Sequence, residues 1–468
     1  MYPPQTSLIP AAAALTRYIA EHGFGGNYPY WYLGSTPIKY LTGPILPTIL
    51  IVLKNAFGLS SFFEASYLLL LVTYSLSLMG WFVLIKALTN NSKIALISGI
   101  VLAVFPWKYF FSLTLADLPF SVSRGILPFA LFAFFKTKAN TKVWFWASAI
   151  LGALLLLIDP TIISDLLVGF MAICFYKAFR TKSLKFKKIG VYVSRAFKIV
   201  LLATLFSTIW YTPGLWLTIL ANPSTGGLSG VGAILRVFSL SKAAVPVLIA
   251  IVVVYASHKF KSRFAVFLAT WLFSFGFLTL FRFIADWDFW QDWSAWVWEL
   301  EFGAALFVAY LFYTKRYFVI QISTLLSFVI VTLIFYNHFG KGRFISDELP
   351  PYINSVGKLG ELAGPSDLVF ISGSSVWWAN ALYDVKQVRG GADRVAVNSL
   401  WPKAAWIVRE NDDGEETQKY LEELDVKYVL VHTESSKEFF HDFKYLLKWN
   451  SLGSVVWSQE GDTIYKIY

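Results

Sequence analysis

Between residues 62 and 337 the chain is a succession of long apolar runs separated by short polar stretches. Crossing about 30 Å of hydrocarbon takes roughly 17 to 25 apolar residues in a helix. Ten runs fit, at 62–85, 94–113, 119–135, 143–158, 161–179, 197–219, 243–257, 264–285, 293–312 and 317–337, and they predict a polytopic α-helical membrane protein of about ten spans. An eleventh run, 41–57, carries Pro44, Pro47 and Lys54, which suits a helix lying in the membrane interface better than one crossing it.

The pattern changes after Phe339. Gly340, Gly342, Pro350 and Pro351 read as a linker. Beyond it, 367–372 (DLVFIS) and 427–433 (KYVLVHT) are short β-branched runs of the kind that form buried strands. Residues 414–423 read as an acidic helix capped near Asp412, and the terminal residues alternate around Glu460, Gly461 and Asp462 as a hairpin does. The organisation expected is therefore an outer loop with a juxtamembrane helix at 1–61, a transmembrane domain at 62–339, and a small C-terminal α/β domain at 340–468.

Charge gives the chain a direction. Of 29 acidic residues in the 468, ten precede residue 340 and 19 follow, while the basic residues divide 26 to 14. The formal +11 is thus a membrane part at +16 and a tail at −5. Positive charge lodged between apolar runs, rather than on a soluble face, excludes a nucleic-acid-binding protein. Alternate loops hold Lys86 and Lys93; Lys136, Lys138 and Lys142; the run from Lys177 to Arg195; Lys259, Lys261 and Arg263; and Lys315 and Arg316, with no acid among them. The other loops hold Asp117, Asp159, Asp286, Asp288 and Asp292. Lysine and arginine accumulate on the cytoplasmic side, so both the N-terminal segment and the tail are expected outside the cytoplasm. Met1 to Thr6 offer no signal sequence, so this orientation calls for a first span preceding Met1. A lone cysteine, Cys174, excludes a disulfide framework, and the five histidines form no ligand pair at helical spacing.

Charged residues beside apolar spans are expensive, which makes their positions informative. Asp117 stands seven residues before Arg124: the acid suits a base or metal ligand and the guanidinium a phosphate-binding cation, or the two form a structural ion pair. Asp159 before Pro160 suits a helix cap, and Asp165 follows one turn inside the next span. The outer loop around Arg282, Asp286, Trp287, Asp288 and Asp292 sets carboxylates among aromatic rings, as carbohydrate sites do. Its Asp286-Trp287-Asp288 spacing can hold a divalent cation against phosphate oxygens. Glu299 and Glu301 cannot both face lipid, so at least one lines the interior.

Three stretches carry a family resemblance. These are residues 17–50 (RYIAEHGFGGNYPYWYLGSTPIKYLTGPILPTIL), 116–135 (ADLPFSVSRGILPFALFAFF) with 151–160 (LGALLLLIDP), and 387–391 (QVRGG) with 427–433. Together they resemble the GT-C superfamily of membrane glycosyltransferases, and most nearly its bacterial and archaeal members labelled 6-pyruvoyl-tetrahydropterin-synthase-related. The resemblance implies a sugar donor linked to polyprenyl phosphate and an acceptor (glycan, lipid or protein) met outside the cytoplasm. In that superfamily the signature acid lies in the first outer loop, where Glu21 is the only acid before Glu64. Asp117 corresponds to the second outer loop.

The resulting expectation is a hexosyl or pentosyl transferase in the lipid bilayer. Asp117, Asp286, Asp288 and Glu21 are its catalytic candidates, Arg124 and Arg282 hold the donor phosphate, and Trp31, Trp287 and Asp292 contact sugar or acceptor. Asp117 and Asp288 are the candidate ligands of a divalent cation, Mg or Mn. The alternatives are a non-catalytic lipid- or glycan-binding scaffold, a transporter, or an inactive family member. One-sided clustering of the acids favours the enzyme over a transporter.

Overall fold

A computed structural model describes residues 2–5, 7–105, 114–137, 142–180, 183–184, 186–221, 262–285, 293–314, 330, 348–351, 353–398 and 400–468. In chain order the helices are α1 (Ile9–His22), α2 (Ile45–Phe57), α3 (Phe62–Thr89), α4 (Ser92–Ala103), α5 (Leu118–Lys136), α6 (Lys142–Ile158), α7 (Ile163–Ala178), α8 (Phe186–Ser207), α9 (Pro213–Ala221), α10 (Arg263–Ala285) and α11 (Trp293–Thr314). Then follow α12 (Ile353–Leu362), β1 (Leu368–Phe370), α13 (Ser375–Leu382), β2 (Lys386–Gln387), α14 (Trp401–Glu410), α15 (Gly414–Glu423), β3 (Val426–His432), β4 (Ser454–Gln459) and β5 (Asp462–Lys466). The chain divides into two units: residues 1–67, 114–116 and 343–468 form one, and 68–113 with 117–342 form the other.

The second unit is helical. Among the described residues, five helices are long and apolar enough to cross a membrane: Phe62–Thr89, Leu118–Lys136, Pro160–Ala178, Ile189–Ser207 and Arg263–Phe281. Their outer faces stay apolar, with Leu71, Met79, Phe197 and Leu205 all more than half exposed. Unpartnered faces of that composition are stable against lipid, where helices satisfy their own backbone groups. The interior is built on Trp81, stacked on Phe302 at 3.5 Å between ring centroids and edge-on to Trp271. At Gly125 a Cβ would stand 2.2 Å from the Thr73 side chain, so only glycine lets α5 approach α3 this closely.

One of the expected spans differs. The run 197–219 is not one helix: α8 starts at Phe186 and stops at Ser207, and α9 begins at Pro213. Thr208 to Thr212 are β-branched or aromatic apart from their turn geometry, and Pro213 has no N–H to continue a preceding helix, so the chain restarts there with proline in the first turn. Of the run 94–113, Ser92 to Ala103 form a helix, and 106–113 lie outside the described residues. So do 243–257, and all of 317–337 except Ile330. Helix α2 has 13 residues. At 1.5 Å per residue it is about 20 Å long, short of the hydrocarbon thickness.

The first unit is α/β. Its sheet runs β2-β1-β3-β5-β4, with β2, β1 and β3 parallel and β5 antiparallel to both β3 and β4. The final hairpin turns through Glu460 and Gly461, both at positive φ (50° and 85°), as a two-residue turn requires. Asp413, not Asp412, caps α15 by accepting from the Glu416 N–H at 3.1 Å. The sequence pattern did not separate out α12, α13, α14 or β2. Nor did it show that the N-terminal residues build this unit's core: Leu15, Ile19, Tyr28, Trp31 and Tyr32 are buried with Phe370, Trp401, Val429 and Trp449.

Candidate functional site

In the helical unit one arginine gathers three acids. Asp117 caps α5 by accepting from the Phe120 N–H at 3.2 Å, with Pro119 in the helix's first turn. Two turns on, Arg124 is fully buried. Between α6 and α7 the chain breaks at Asp159-Pro160. Asp159 Oδ1 accepts from the backbone N–H of Thr161 at 2.9 Å and from its hydroxyl at 2.6 Å, which fixes the short turn Pro160–Ile162. Its Oδ2 is left for Arg124 Nη1 at 3.3 Å. Asp165, inside α7, accepts from Arg124 Nη2 at 2.7 Å. Glu299 of α11 stands 3.7 Å from Arg124 Nε, and its carbonyl accepts from the Trp271 indole N–H at 2.7 Å. The Phe120 ring covers the guanidinium at 3.5 Å, and Trp298 meets that ring edge-on.

All four charged groups are essentially excluded from solvent. A guanidinium offers five N–H donors spread over a fixed plane, which lets it reach acids on three elements at once. Three carboxylates thus converge on this one guanidinium. Its direct chemical capacity is to hold the N-terminal half of α5 against the α6–α7 break and α11.

The expected site residues are distributed as follows. Arg124 does not present its guanidinium to a ligand: Phe120 and three carboxylates enclose it, so a donor phosphate would have to displace one of its acids. Trp31 does not offer a face to sugar, since it is fully buried with its indole within 3.1 Å of where a Cβ on Gly391 would lie. Glu21 is exposed near the end of α1, 4.0 Å from His22. Asp117 stands at the start of α5. Asp286, Trp287, Asp288 and Asp292 lie outside the described residues, and of Arg282 only the backbone, within α10, is described. Asp159, Asp165 and Glu299 were not grouped with Arg124 by the sequence. The available signal was the rule that charges inside apolar spans pair with one another. Both Glu299 and Glu301 are buried.

A second polar cluster lies at the carboxyl ends of β1 and β2 in the α/β unit. Asp442 accepts from Arg389 at 3.2 Å and pairs with Arg409 at 3.1 Å, and the Ser372 hydroxyl also donates to it. Burial works against ionisation of Asp442, but Ser372 and the two arginines outweigh it and hold the carboxyl below its usual range. Beside it, Glu438 accepts from the backbone N–H and hydroxyl of Ser374 (2.9 and 2.6 Å) and of Ser375 (3.3 and 2.7 Å), at the start of α13. Among the described residues no three acids, histidines or cysteines converge in a way that could hold a metal ion. The acids around Arg124 point at a guanidinium and do not fit a divalent cation.

No known family pattern and no curated protein matches the chain. Solved structures do. An oligosaccharyltransferase of Archaeoglobus fulgidus, in complex with Zn and sulfate, superposes with a TM-score of 0.58 at 15% identity over 92% of this chain. This chain spans 64% of that protein's length. The archaeal oligosaccharyltransferase AglB of the same organism, in complex with an inhibitory peptide and a dolichol-phosphate, superposes with a TM-score of 0.57 at 11% identity, over 100% of this chain and 70% of that one. ArnT of Cupriavidus metallidurans superposes with a TM-score of 0.49 at 10% identity, over 100% of this chain and 94% of that one. The chain thus shares its fold with these archaeal oligosaccharyltransferases.

Proposed function

We propose that this chain is a membrane glycosyltransferase that moves a sugar from a polyprenyl-phosphate donor to an acceptor outside the cytoplasm. The observation that supports this most is the shared fold with an oligosaccharyltransferase over 92% of the chain, one relative of that kind having been solved with dolichol-phosphate. A place among the 6-pyruvoyl-tetrahydropterin-synthase-related membrane proteins is part of the same reading and rests on the three sequence stretches.

In this reading Asp117 takes the proton from the acceptor hydroxyl as its oxygen bonds to the sugar's anomeric carbon. The bond from that carbon to the phosphate oxygen breaks, and polyprenyl phosphate leaves with the bonding pair. Arg282 holds the phosphate by its fork of donors. Asp286, Asp288 and Asp292 accept sugar hydroxyls beside Trp287, and Glu21 is the further acid of the N-terminal segment. Arg124 has a positioning role: with Asp159, Asp165 and Glu299 it fixes α5, whose N-terminus Asp117 caps. A lipid donor accounts for the membrane, because its isoprenoid tail stays in hydrocarbon while its phosphate reaches the surface.

The test is consumption of labelled polyprenyl-phosphate sugars by the chain reconstituted in vesicles. Asparagine caps a helix about as well as aspartate, so Asp117→Asn removes the base and keeps the start of α5. It should abolish transfer without lowering membrane insertion. Full activity in that variant removes Asp117 from the site, and failure of the unaltered chain to consume any such donor favours the scaffold.

A further inference from the structure

Two adjacent phenylalanines of the α/β unit, Phe439 and Phe440, are 61% and 40% exposed, with their rings in a T-shaped contact and ring centroids 4.9 Å apart. A soluble surface rarely displays such a pair, and the chain holds this one firmly. Glu438, immediately before it, is buried and bound by both hydroxyls and both amides of Ser374 and Ser375. The Phe440 N–H returns to the same carboxylate at 3.3 Å. The exposure of the rings is therefore imposed by a fixed backbone.

The same unit shows what lies next to them. It includes Phe62 to Tyr67, the first residues of the membrane-crossing helix α3. The polar end of that helix is marked by Glu64, which accepts from the Ser60 N–H and hydroxyl at 2.9 and 2.8 Å. Phe63, one residue before Glu64, packs on Trp378 of α13 at 5.6 Å, one turn from the Ser375 that holds Glu438. On its other side Phe63 meets Tyr2 at 5.9 Å, and Gln5 donates to the Lys437 carbonyl at 2.7 Å. Contacts through Phe63 and Gln5 thus tie the Phe439–Phe440 segment to Phe62–Tyr67, the first residues of α3.

We infer that Phe439 and Phe440 are a membrane anchor: the pair enters the leaflet surface at the N-terminal end of α3. Lys437, 54% exposed in its side chain and paired with Glu460 at 2.7 Å, flanks it as a polar neighbour. Aromatic rings favour this depth because one side is apolar and the other wet. The inference does not depend on the chemistry proposed above, only on α3 spanning the bilayer.

Site-directed fluorescence in phosphatidylcholine vesicles tests it. Cys174 is the only native thiol, so single cysteines can be placed in a Cys174→Ala chain. A label at Phe439→Cys should be quenched by lipids carrying a shallow nitroxide and protected from aqueous iodide. A label at Val455→Cys, 57% exposed on β4, should behave in the opposite way. Since a label can itself seek lipid, a second series places it at Lys437→Cys. There, lipid quenching should fall several-fold when Phe439→Ser and Phe440→Ser are added. Iodide reaching position 439 as readily as 455 overturns the anchor. Position 439 shielded from both quenchers means that protein covers the pair and equally overturns it, as does unchanged quenching at 437 in the serine variant.

Discussion

A guanidinium facing three carboxylates in an apolar interior is costly to leave half complete. Removing one partner of a buried ion pair costs about 3–5 kcal/mol, because the remaining charge stays buried without compensation. Arg124→Gln leaves Asp159, Asp165 and Glu299 close together with no cation from α5 among them. It should lower the thermal stability of the helical unit by an amount in that range, read as earlier melting of the reconstituted chain. Adding Asp165→Asn should restore part of the loss, since an amide removes one of the uncompensated charges. An Arg124→Gln chain as stable as the parent would mean that the acids are neutral in the folded state. The same chemistry explains Asp159, whose two oxygens do different work: Oδ1 fixes the turn at Thr161, and Oδ2 faces Arg124.

Elements governed by local chemistry were legible in the sequence. Asp413 and the Glu460-Gly461 turn act within a few residues, so the acidic helix 414–423 and the final hairpin could be read directly. Apolar runs likewise gave α3, α5, α6, α7, α10 and α11 to within a few residues. Long-range packing was not legible. The Trp31-Tyr32 segment and Gly390-Gly391 are far apart in sequence but in contact, and a Cβ at Gly390 would stand 2.5 Å from the Tyr32 ring. The Tyr32 hydroxyl donates to Asp393 at 2.7 Å and accepts from the Ala392 N–H at 2.8 Å. Trp31 looked like a sugar platform because sequence alone cannot tell a buried indole from an offered one. The glycine pair is instead the receptacle for these two side chains. Gly391→Ala places a Cβ 2.7 Å from the Trp31 ring, and overpacking of this kind typically costs about 1–3 kcal/mol. The variant should release the N-terminal segment to proteolysis at lower temperature than the parent. Ala substituted at Gly190, where nothing lies within 4 Å, should not.

For the whole molecule the decisive property is its direction in the bilayer. A polyprenyl-linked donor presents its sugar on one face, so Asp117 can act only if it meets that face. The charge pattern predicts it: Lys86 lies in the last turn of α3 and Lys93 in the first of α4, whereas Asp117 caps α5, which holds no basic residue before Arg124. Each lysine or arginine left near a span end favours the cytoplasmic side, while acids contribute little, so the asymmetry should place the α3–α4 turn inside. The N-terminal end of α3, and with it the α/β unit that contains Phe62 to Tyr67, then faces outward. Single cysteines in the Cys174→Ala chain read this out. A membrane-impermeant maleimide should label Val455→Cys in intact cells and label Lys93→Cys only after permeabilisation. The reverse pattern would bring the α/β unit and Asp117 to the cytoplasmic face. A donor sugar would then have to be met inside the cell, and transfer to an outer acceptor could not be the reaction.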